Sequence, residues 1–286
     1  MIRVVLSLIF LLLIGVPLVG ADLPLAPTSI TIRQGEVVSF TLPGLDGTGS
    51  AAGQFQNQSI PFFKNDADPA SLTAFIGVDF TQPIGEYPFD ITVTGDKGDR
   101  LLPYRITVLS TSFGVQTLTL PEGKVDLDAK TLERVEKEAR RFKDIFSQPT
   151  INKTWRLPFQ IPVVGEISGH FGRRRIINGQ EKSPHTGVDI AAPLGKDVLA
   201  SNGGKIVLTG DFFFNGQSIV IDHGGGILTM YFHLSEIMVK EGMSVESRQI
   251  IGRVGQSGRA TGPHLHWGAR VHNARVDPFS LVKIGL

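Results

Sequence analysis

Two histidines separated by a single residue stand near the end of the chain, in the segment GPHLHWG at 262–268. In a β-strand, alternate side chains point to the same face, so His264 and His266 would lie side by side while Leu265 points into the core. Imidazoles bind zinc and carry protons near neutral pH. A half-buried strand that shows two histidines to solvent would give the same pattern, so the pair alone does not establish a site.

A second segment, SPHTGVDIAAP at 183–193, supplies residues that complement this pair. His185 and Asp189 are four residues apart, which places them on one face of either a strand or a helical turn. Together with one histidine of the 264/266 pair they form a set of two imidazoles and one carboxylate, which suits zinc with an open position for water. His233, at the end of the apolar segment MYFHLSE, is placed to reach the same cleft.

Four ordered motifs give the region from about Gly165 to Leu281 a resemblance to the lysostaphin-type (LytM-like) zinc peptidases, which cut peptidoglycan peptides. The motifs are SGHFGRRR, HTGVD, YFHLS and GRVGQSGRATGPHLHWG. The resemblance implies a compact antiparallel β-sheet domain with one zinc ion in a groove on the sheet. It also implies the site residues: His185, Asp189 and His266 as zinc ligands, and His264 and His233 as catalytic histidines beside the metal.

The same resemblance assigns further residues around the groove. Arg174, at the family's F-G-x-R position, is expected either to orient substrate or to brace the groove. His170 is expected on the groove wall or the surface, and His272 is expected to be exposed. His223, which precedes a glycine turn, is expected to make a structural hydrogen bond rather than to act in catalysis.

The pattern of the remaining sequence predicts a mainly β protein. Short alternating apolar segments separated by Pro, Gly and Asp predict an immunoglobulin-like β-sandwich before the catalytic region. Asp128 and the apolar residues after it at helical spacing predict a capped helix between the two. The expected parts of the chain are a signal peptide at 1–21, the sandwich at 25–115, a helical linker at 116–160 and the lysostaphin-type domain at 161–286.

The first residues predict export of the chain. An early arginine, the apolar segment from Val4 to Leu13, Pro17 and the small residues before Asp22 have the layout of a secretory signal peptide. An uncleaved membrane anchor is the alternative, because the apolar stretch approaches spanning length. Cleavage would leave no stable membrane span. We therefore expect an exported protein that is periplasmic, associated with the cell envelope, or secreted.

Composition and charge narrow the class of partner. The chain has no cysteine, which excludes disulfides, thiolate catalysis and cysteine metal ligands. Residues 151–286 carry 15 Lys and Arg against 10 Asp and Glu, whereas residues 1–150 carry 13 against 17. The opposite charges predict that the N-terminal module partly covers the groove. The sequence has no basic segment with interleaved aromatic residues, so it gives no indication of nucleic-acid binding.

These observations favour a zinc endopeptidase that hydrolyses peptide cross-links of peptidoglycan, with the peptide stems as its partner. Two alternatives remain open at this point. A non-catalytic relative would bind the wall or activate another hydrolase, but such relatives lose metal ligands, and all five expected residues are present here. A purely adhesive wall protein would leave the coincidence of these five residues unexplained.

Overall fold

The computed structural model describes residues 29–42, 49–65, 67–96, 98–119, 127–148 and 150–284. Within these ranges the chain is built mainly from strands, as expected, with a β module in its first part and a larger sheet in its last part. The predicted signal peptide lies outside the described residues. Neither of the helices described is both long enough and apolar enough to cross a membrane.

Within the described ranges, eight strands form the N-terminal module. They are β1 (Ser29–Arg33), β2 (Val37–Leu42), β3 (Ser50–Phe55), β4 (Gln58–Pro61), β5 (Phe63–Lys64), β6 (Leu72–Gly77), β7 (Gly85–Gly95) and β8 (Gly98–Leu109). One sheet has the order β1-β8-β7-β3-β4 and the other the order β2-β6-β5. The arrangement of β3-β7-β8 in one sheet and β2-β6-β5 in the other is the strand order of an immunoglobulin-like sandwich, which confirms the expected fold of this module.

Alternation of apolar and polar side chains builds the core of the sandwich. On β7, Phe89, Ile91 and Val93 are buried, and the residues between them are exposed. They pack with Ala74 and Ile76 of β6 in one apolar cluster. A period of two is what a strand with one buried face requires.

The other described residues add thirteen strands and two helices. The strands are β9 (Val115–Leu118), β10 (Glu166–Gly169), β11 (Arg174–Ile177), β12 (Gln180–Lys182), β13 (Val188–Ala191), β14 (Asp197–Leu199), β15 (Gly204–Phe212), β16 (Gly216–Gly224), β17 (Ile227–Ile237), β18 (Ser244–Val245), β19 (Ile250–Val254), β20 (His264–Val271) and β21 (Ala274–Val276); the helices are α1 (Ala129–Phe146) and α2 (Pro278–Lys283). The main sheet has the order β10-β13-β20-β17-β16-β15-β18, and its neighbouring strands are antiparallel.

The two faces of the main sheet bury different side chains. Tyr231, Leu265 and Trp267 lie in the large apolar cluster on one face. Met230 and Phe232 belong to a smaller cluster on the other face. His264 and His266 alternate with Leu265 and Trp267 along β20, so they share the face of the smaller cluster, where the ring of Phe232 stacks on that of His266 at 5.4 Å.

The connecting segment takes part in the structure of the C-terminal sheet. β9 pairs in parallel with β11, so this part of the expected helical linker is a strand of a small three-stranded sheet with β11 and β12. Asp128 caps α1 as predicted, accepting a hydrogen bond from the backbone N–H of Thr131 at 2.8 Å. The last turns of α1 pack apolar side chains against the main sheet, where the ring of Phe142 lies 4.9 Å from that of Phe212, while Leu132 in the first turn is 48% exposed.

The sandwich and the main sheet are in direct contact. Val37 and Phe75 of the sandwich pack with Trp155 and Val271 in one apolar cluster. Beside this cluster, Arg275 of β21 binds the carboxylate of Asp79 in a bidentate pair, Nε to Oδ2 at 2.9 Å and Nη2 to Oδ1 at 2.8 Å. Burial by itself would raise the pKa of Asp79, but the hydrogen bonds from Arg275 outweigh burial and lower the pKa to about 2.

Asp79→Asn should lower the free energy of unfolding by about 2 kcal/mol at neutral pH, because the ionised carboxylate is bound more strongly in the folded state than in the unfolded state. The folded-state pKa lies below the ordinary value of 3.8. The stabilisation is therefore complete above about pH 4 and is lost as the pH falls toward 2. Denaturant unfolding of both proteins at pH 7 and pH 3 measures it.

Asp90→Asn is the matched control, because Asp90 is an exposed aspartate on β7. This variant should stay within about 0.5 kcal/mol of the wild type. Asp79→Asn and wild-type proteins of equal stability at pH 7 would contradict the assignment of Asp79 as a stabilising contact.

Candidate active site

The register of two antiparallel strands brings the first two candidate ligands together. Asp189 of β13 lies directly opposite His266 of β20. Their neighbours Ile190 and Leu265 point to the other face and are fully buried, which fixes this register. As a result Asp189 Oδ1 lies 2.9 Å from His266 Nδ1.

His185 reaches the same point from the loop before β13. Its backbone is held on both sides, because its N–H donates to the carbonyl of Arg173 and its carbonyl accepts from the N–H of Gly172. Its ring Nδ1 lies 2.9 Å from the carbonyl of His170, so Nδ1 carries the proton and donates it. The remaining ring nitrogen, Nε2, lies 2.9 Å from Asp189 Oδ1 and 3.0 Å from His266 Nδ1.

These three side chains fit a divalent metal ion. His185 Nε2 and Asp189 Oδ1 both present lone pairs to each other, and such a contact requires a cation between the two atoms. Burial would raise the pKa of Asp189, but the side chains of His185 and His266 against its carboxylate hold it well below its usual range. Burial lowers the pKa of His266 to about 4. Asp189 is therefore an ionised carboxylate and His266 a neutral imidazole, the protonation states in which these groups bind metal.

Two glycines lie so close to the candidate ligands that a side chain on either would collide with them. A Cβ on Gly187 would lie 2.6 Å from His266 Nε2 and equally close to the carbonyl oxygen of Trp267. A Cβ on Gly169 of β10 would lie 2.3 Å from Asp189 Oδ2. The glycines of HTGVD and SGHFG therefore have a steric role, since any side chain would displace a ligand.

His264 and His233 border the three-residue cluster. His264 Nδ1 donates to the carbonyl of Gly262 at 2.8 Å, and its Nε2 lies 3.7 Å from Asp189 Oδ1. His233 Nδ1 donates to the carbonyl of Ser257 at 2.8 Å. The two rings are 4.8 Å apart, centre to centre. In each ring Nδ1 is held by a carbonyl, so Nε2 of the neutral form is a proton acceptor.

A β-bulge directs His233 into the site. Between the pairs Ile219–Tyr231 and Gln217–Leu234, β17 has two residues and β16 has one. His233 has a φ of 63°, in the left-handed region that a non-glycine residue rarely adopts. Simple alternation would put His233 on the face opposite to Phe232, whereas the bulge turns both toward His266.

The arginine that approaches the site is Arg175 rather than Arg174. Arg174 is exposed and pairs with Glu181 across the β11–β12 hairpin at 2.9 Å, so it braces the hairpin. Arg175 points to the other face of β11, where Nη2 lies 3.6 Å from Asp189 Oδ2 and Nε donates to Gln116 on β9. The arginine run in SGHFGRRR was a signal for this position, but the strand register was needed to tell the two residues apart.

A cavity of about 380 Å³ opens beside the cluster. Sequence reasoning missed Arg259 and the loop residues Phe214 and Asn215, which line it together with His233 and His266. The backbone N–H of His233 donates to the carbonyl of Asn215 at 2.8 Å, so the loop is tied to the bulge. The segment FFFNG at 212–216 and the arginine of GRATG were the available signals.

The other histidines lie outside the cluster. His170 is exposed and contributes its backbone carbonyl to His185. His223 is fully buried between the carbonyl of Gly203 and the hydroxyl of Thr229, as the structural interpretation expected. The expectation that His272 is exposed was wrong: it is 9% exposed, because the β20–β21 turn packs against β6 of the sandwich.

Comparison with known proteins finds a family match over part of the chain. Residues 183–278 match the family model described as peptidase family M23. The peptidoglycan DD-endopeptidase ShyA of Vibrio cholerae serotype O1 is 37% identical over 133 residues, which cover 46% of this chain and 29% of ShyA. The DD-carboxypeptidase/endopeptidase Mpg of Neisseria meningitidis serogroup B is 44% identical over 119 residues, which cover 42% of this chain and 27% of Mpg. The chain thus matches less than a third of the length of either curated relative.

The likeness to one solved structure extends over both parts of the chain. The crystal structure of a Pseudomonas aeruginosa protein described as a peptidase M23 superposes with a TM-score of 0.69 at 27% sequence identity. The match covers 88% of this chain and 95% of that chain, so it includes the β module as well as the main sheet. The match of residues 183–278 to peptidase family M23 confirms the resemblance to lysostaphin-type peptidases that the motifs of this region carry.

Proposed function

We propose that this protein is a zinc-dependent endopeptidase that hydrolyses the peptide cross-links of bacterial peptidoglycan. The observation that carries the proposal is the convergence of His185 Nε2, Asp189 Oδ1 and His266 Nδ1 within 3.0 Å of one another. The names of ShyA and Mpg support the substrate class. Two imidazoles and one carboxylate are a donor set of catalytic zinc sites, which keep one position open.

The three ligands would hold one zinc ion per chain. A zinc ion there supplies Lewis acidity, which lowers the pKa of the attacking water and polarises the scissile carbonyl. Asp189 is ionised and His266 is neutral, so the negative charge among these ligands comes from the carboxylate. Arg175, 3.6 Å from Asp189 Oδ2, would hold the second carboxylate oxygen in place.

His264 and His233 would carry the protons. In our proposal His264 Nε2 takes the proton of the attacking water as general base, since its Nδ1 is fixed on Gly262 and its Nε2 faces the cluster. His233, fixed through Nδ1 on Ser257, would pass a proton through Nε2 to the developing oxyanion or the leaving amine. That proton would be the one that His264, whose ring centre lies 4.8 Å away, has taken from the water. Protonation of the amine completes the cleavage, because it prevents the peptide bond from re-forming.

The proposal extends to the cellular location and to the division of the chain. We infer that residues 1–21 are a signal peptide and that the protein acts in the periplasm or at the cell envelope. The domain division at 25–115, 116–160 and 161–286 remains part of this proposal, as does partial cover of the groove by the acidic N-terminal module. The alternative is a wall-binding or hydrolase-activating protein that does not cleave.

A digestion experiment separates these two functions. The full chain loaded with zinc should convert cross-linked muropeptide dimers of purified peptidoglycan into monomers, each cleavage releasing one new amine and one new carboxylate. Mass spectrometry of the soluble products measures the conversion, and Asp189→Ala is the inactive control. Dimers that persist in the presence of zinc-loaded protein would contradict the enzymatic function and favour the alternative.

The ligand assignment predicts zinc loss on truncation of any one ligand. His185→Ala, Asp189→Ala and His266→Ala should each lose tightly bound zinc, because three protein ligands leave none to spare. Zinc per chain is measured after gel filtration in metal-free buffer. His170→Ala is the control: only the backbone carbonyl of His170 contacts His185, so this variant should keep its zinc. Full zinc in any of the three ligand variants would refute the role of that ligand.

The roles of His264 and His233 predict a different outcome. His264→Ala and His233→Ala should keep zinc but lose turnover by about 10²–10⁴-fold, which is the usual effect of removing a positioned proton carrier. The zinc content and kcat of each variant are compared with those of the wild type. If the His264 and His266 variants lose zinc equally, the roles assigned within the H-x-H pair are wrong.

A further inference from the structure

The charged side chains described along the cavity beside the cluster are all basic. Three basic side chains line it, from Arg175, Lys182 and Arg259, and no acidic side chain does so within the described parts of the chain. Its other walls are polar and aromatic, with Phe214 and Asn215 on one side and His233 and His266 at the base. A cavity with these walls favours a negatively charged group over a neutral one.

Arg259 is held in place without a carboxylate partner. Its guanidinium carbon lies 4.2 Å above the ring of Phe214, and its backbone N–H donates to the carbonyl of Phe214 at 2.8 Å. In the described structure no acidic side chain lies within 4.0 Å of its guanidinium. Stacking on an aromatic ring orients the plane of the guanidinium but leaves its N–H donors available.

Arg175 adds a second positive charge to the wall of the cavity. Arg175 approaches Asp189 with Nη2 and Gln116 with Nε, and its side chain is 19% exposed at the cavity wall. Burial, together with the nearby charge of Arg175, lowers the pKa of Arg259. Two half-buried like charges near one another are unfavourable on their own, and an anion between them would relieve the repulsion.

We propose that Arg175 and Arg259 form a subsite that binds a free carboxylate of the substrate peptide next to the scissile bond. The inference rests on the proposed peptidase function and adds a specificity to it. Cross-links in which the residue supplying the amine of the scissile bond also carries a carboxylate would fit this subsite. Neutral glycine bridges would leave the guanidinium of Arg259 without a carboxylate partner, and a buried charged donor that lacks its partner costs binding energy.

The test uses two cross-linked muropeptide dimers that differ in one group. In one, the diaminopimelate residue that supplies the scissile amine has its free carboxylate; in the other this group is a carboxamide. The wild-type full chain with zinc should cleave the carboxylate dimer with a kcat/KM about 10- to 100-fold higher, as expected for a hydrogen bond to a charged group. Arg259→Gln should lose this preference mainly through a higher KM, and Arg259→Lys should restore part of it.

Arg174→Gln is the matched control, because it removes an arginine from the adjacent position, where the side chain pairs with Glu181 instead of lining the cavity. It should keep the preference for the carboxylate dimer. The zinc content of every variant is measured, so that loss of metal is not mistaken for loss of the subsite. Equal cleavage of the two dimers by the wild type, or an undiminished preference in Arg259→Gln, would overturn the proposal.

Binding measurements distinguish a failure of the subsite from a failure of the proposed function. Isothermal titration of the chelated full chain with each dimer does not depend on cleavage. Tighter binding of the carboxylate dimer to the wild type but not to Arg259→Gln would support the subsite even if neither dimer were cut, in which case only the peptidase function fails. Equal affinity of the wild type for both dimers would overturn the subsite whether or not the protein cleaves them.

Discussion

The cross-strand pair formed by Asp189 and His266 is the constraint on which the site depends. In the β13–β20 register these residues lie opposite each other, and a slip of one residue would send both side chains to the other face of the sheet. The slip is prevented by Ile190 and Leu265, which are buried on that other face. The apolar core therefore holds the register, and the register brings the carboxylate to 2.9 Å from the imidazole.

A β-bulge and a glycine, in addition to the strand register, place the side chains of the site. The bulge in β17 turns His233 toward the site at a φ of 63°, a conformation that costs about 1–3 kcal/mol in a non-glycine residue. Hydrogen bonds from the backbone of His233 to Asn215 and from its ring to Ser257 offset this cost. Gly187 leaves the space for the ring of His266. A residue with a strained backbone and a glycine thus both help to place the side chains of the site.

The N-terminal half of the chain supports the same region from outside. β9 extends the β11–β12 hairpin and presents Gln116 to Arg175. The last turns of α1 bring Phe142 against Phe232, whose ring stacks on His266. The contacts between the sandwich and the sheet hold these segments at a fixed distance from the site. Support of the cavity wall is therefore a physical role of the connecting segment, in addition to joining the two parts of the chain.

The sequence by itself determined the mainly β fold, the immunoglobulin-like module and the residue types of the site, because alternation and motif spacing are local properties of the chain. It also predicted which side chains converge, through the resemblance of its motifs to a known family. It could not separate Arg174 from Arg175, since that choice depends on which face of β11 meets the main sheet. It likewise could not reveal that His272 is buried by the sandwich or that Arg259 and Arg175 line the same cavity. These features depend on contacts between segments far apart in the chain, and only tertiary packing decides such contacts.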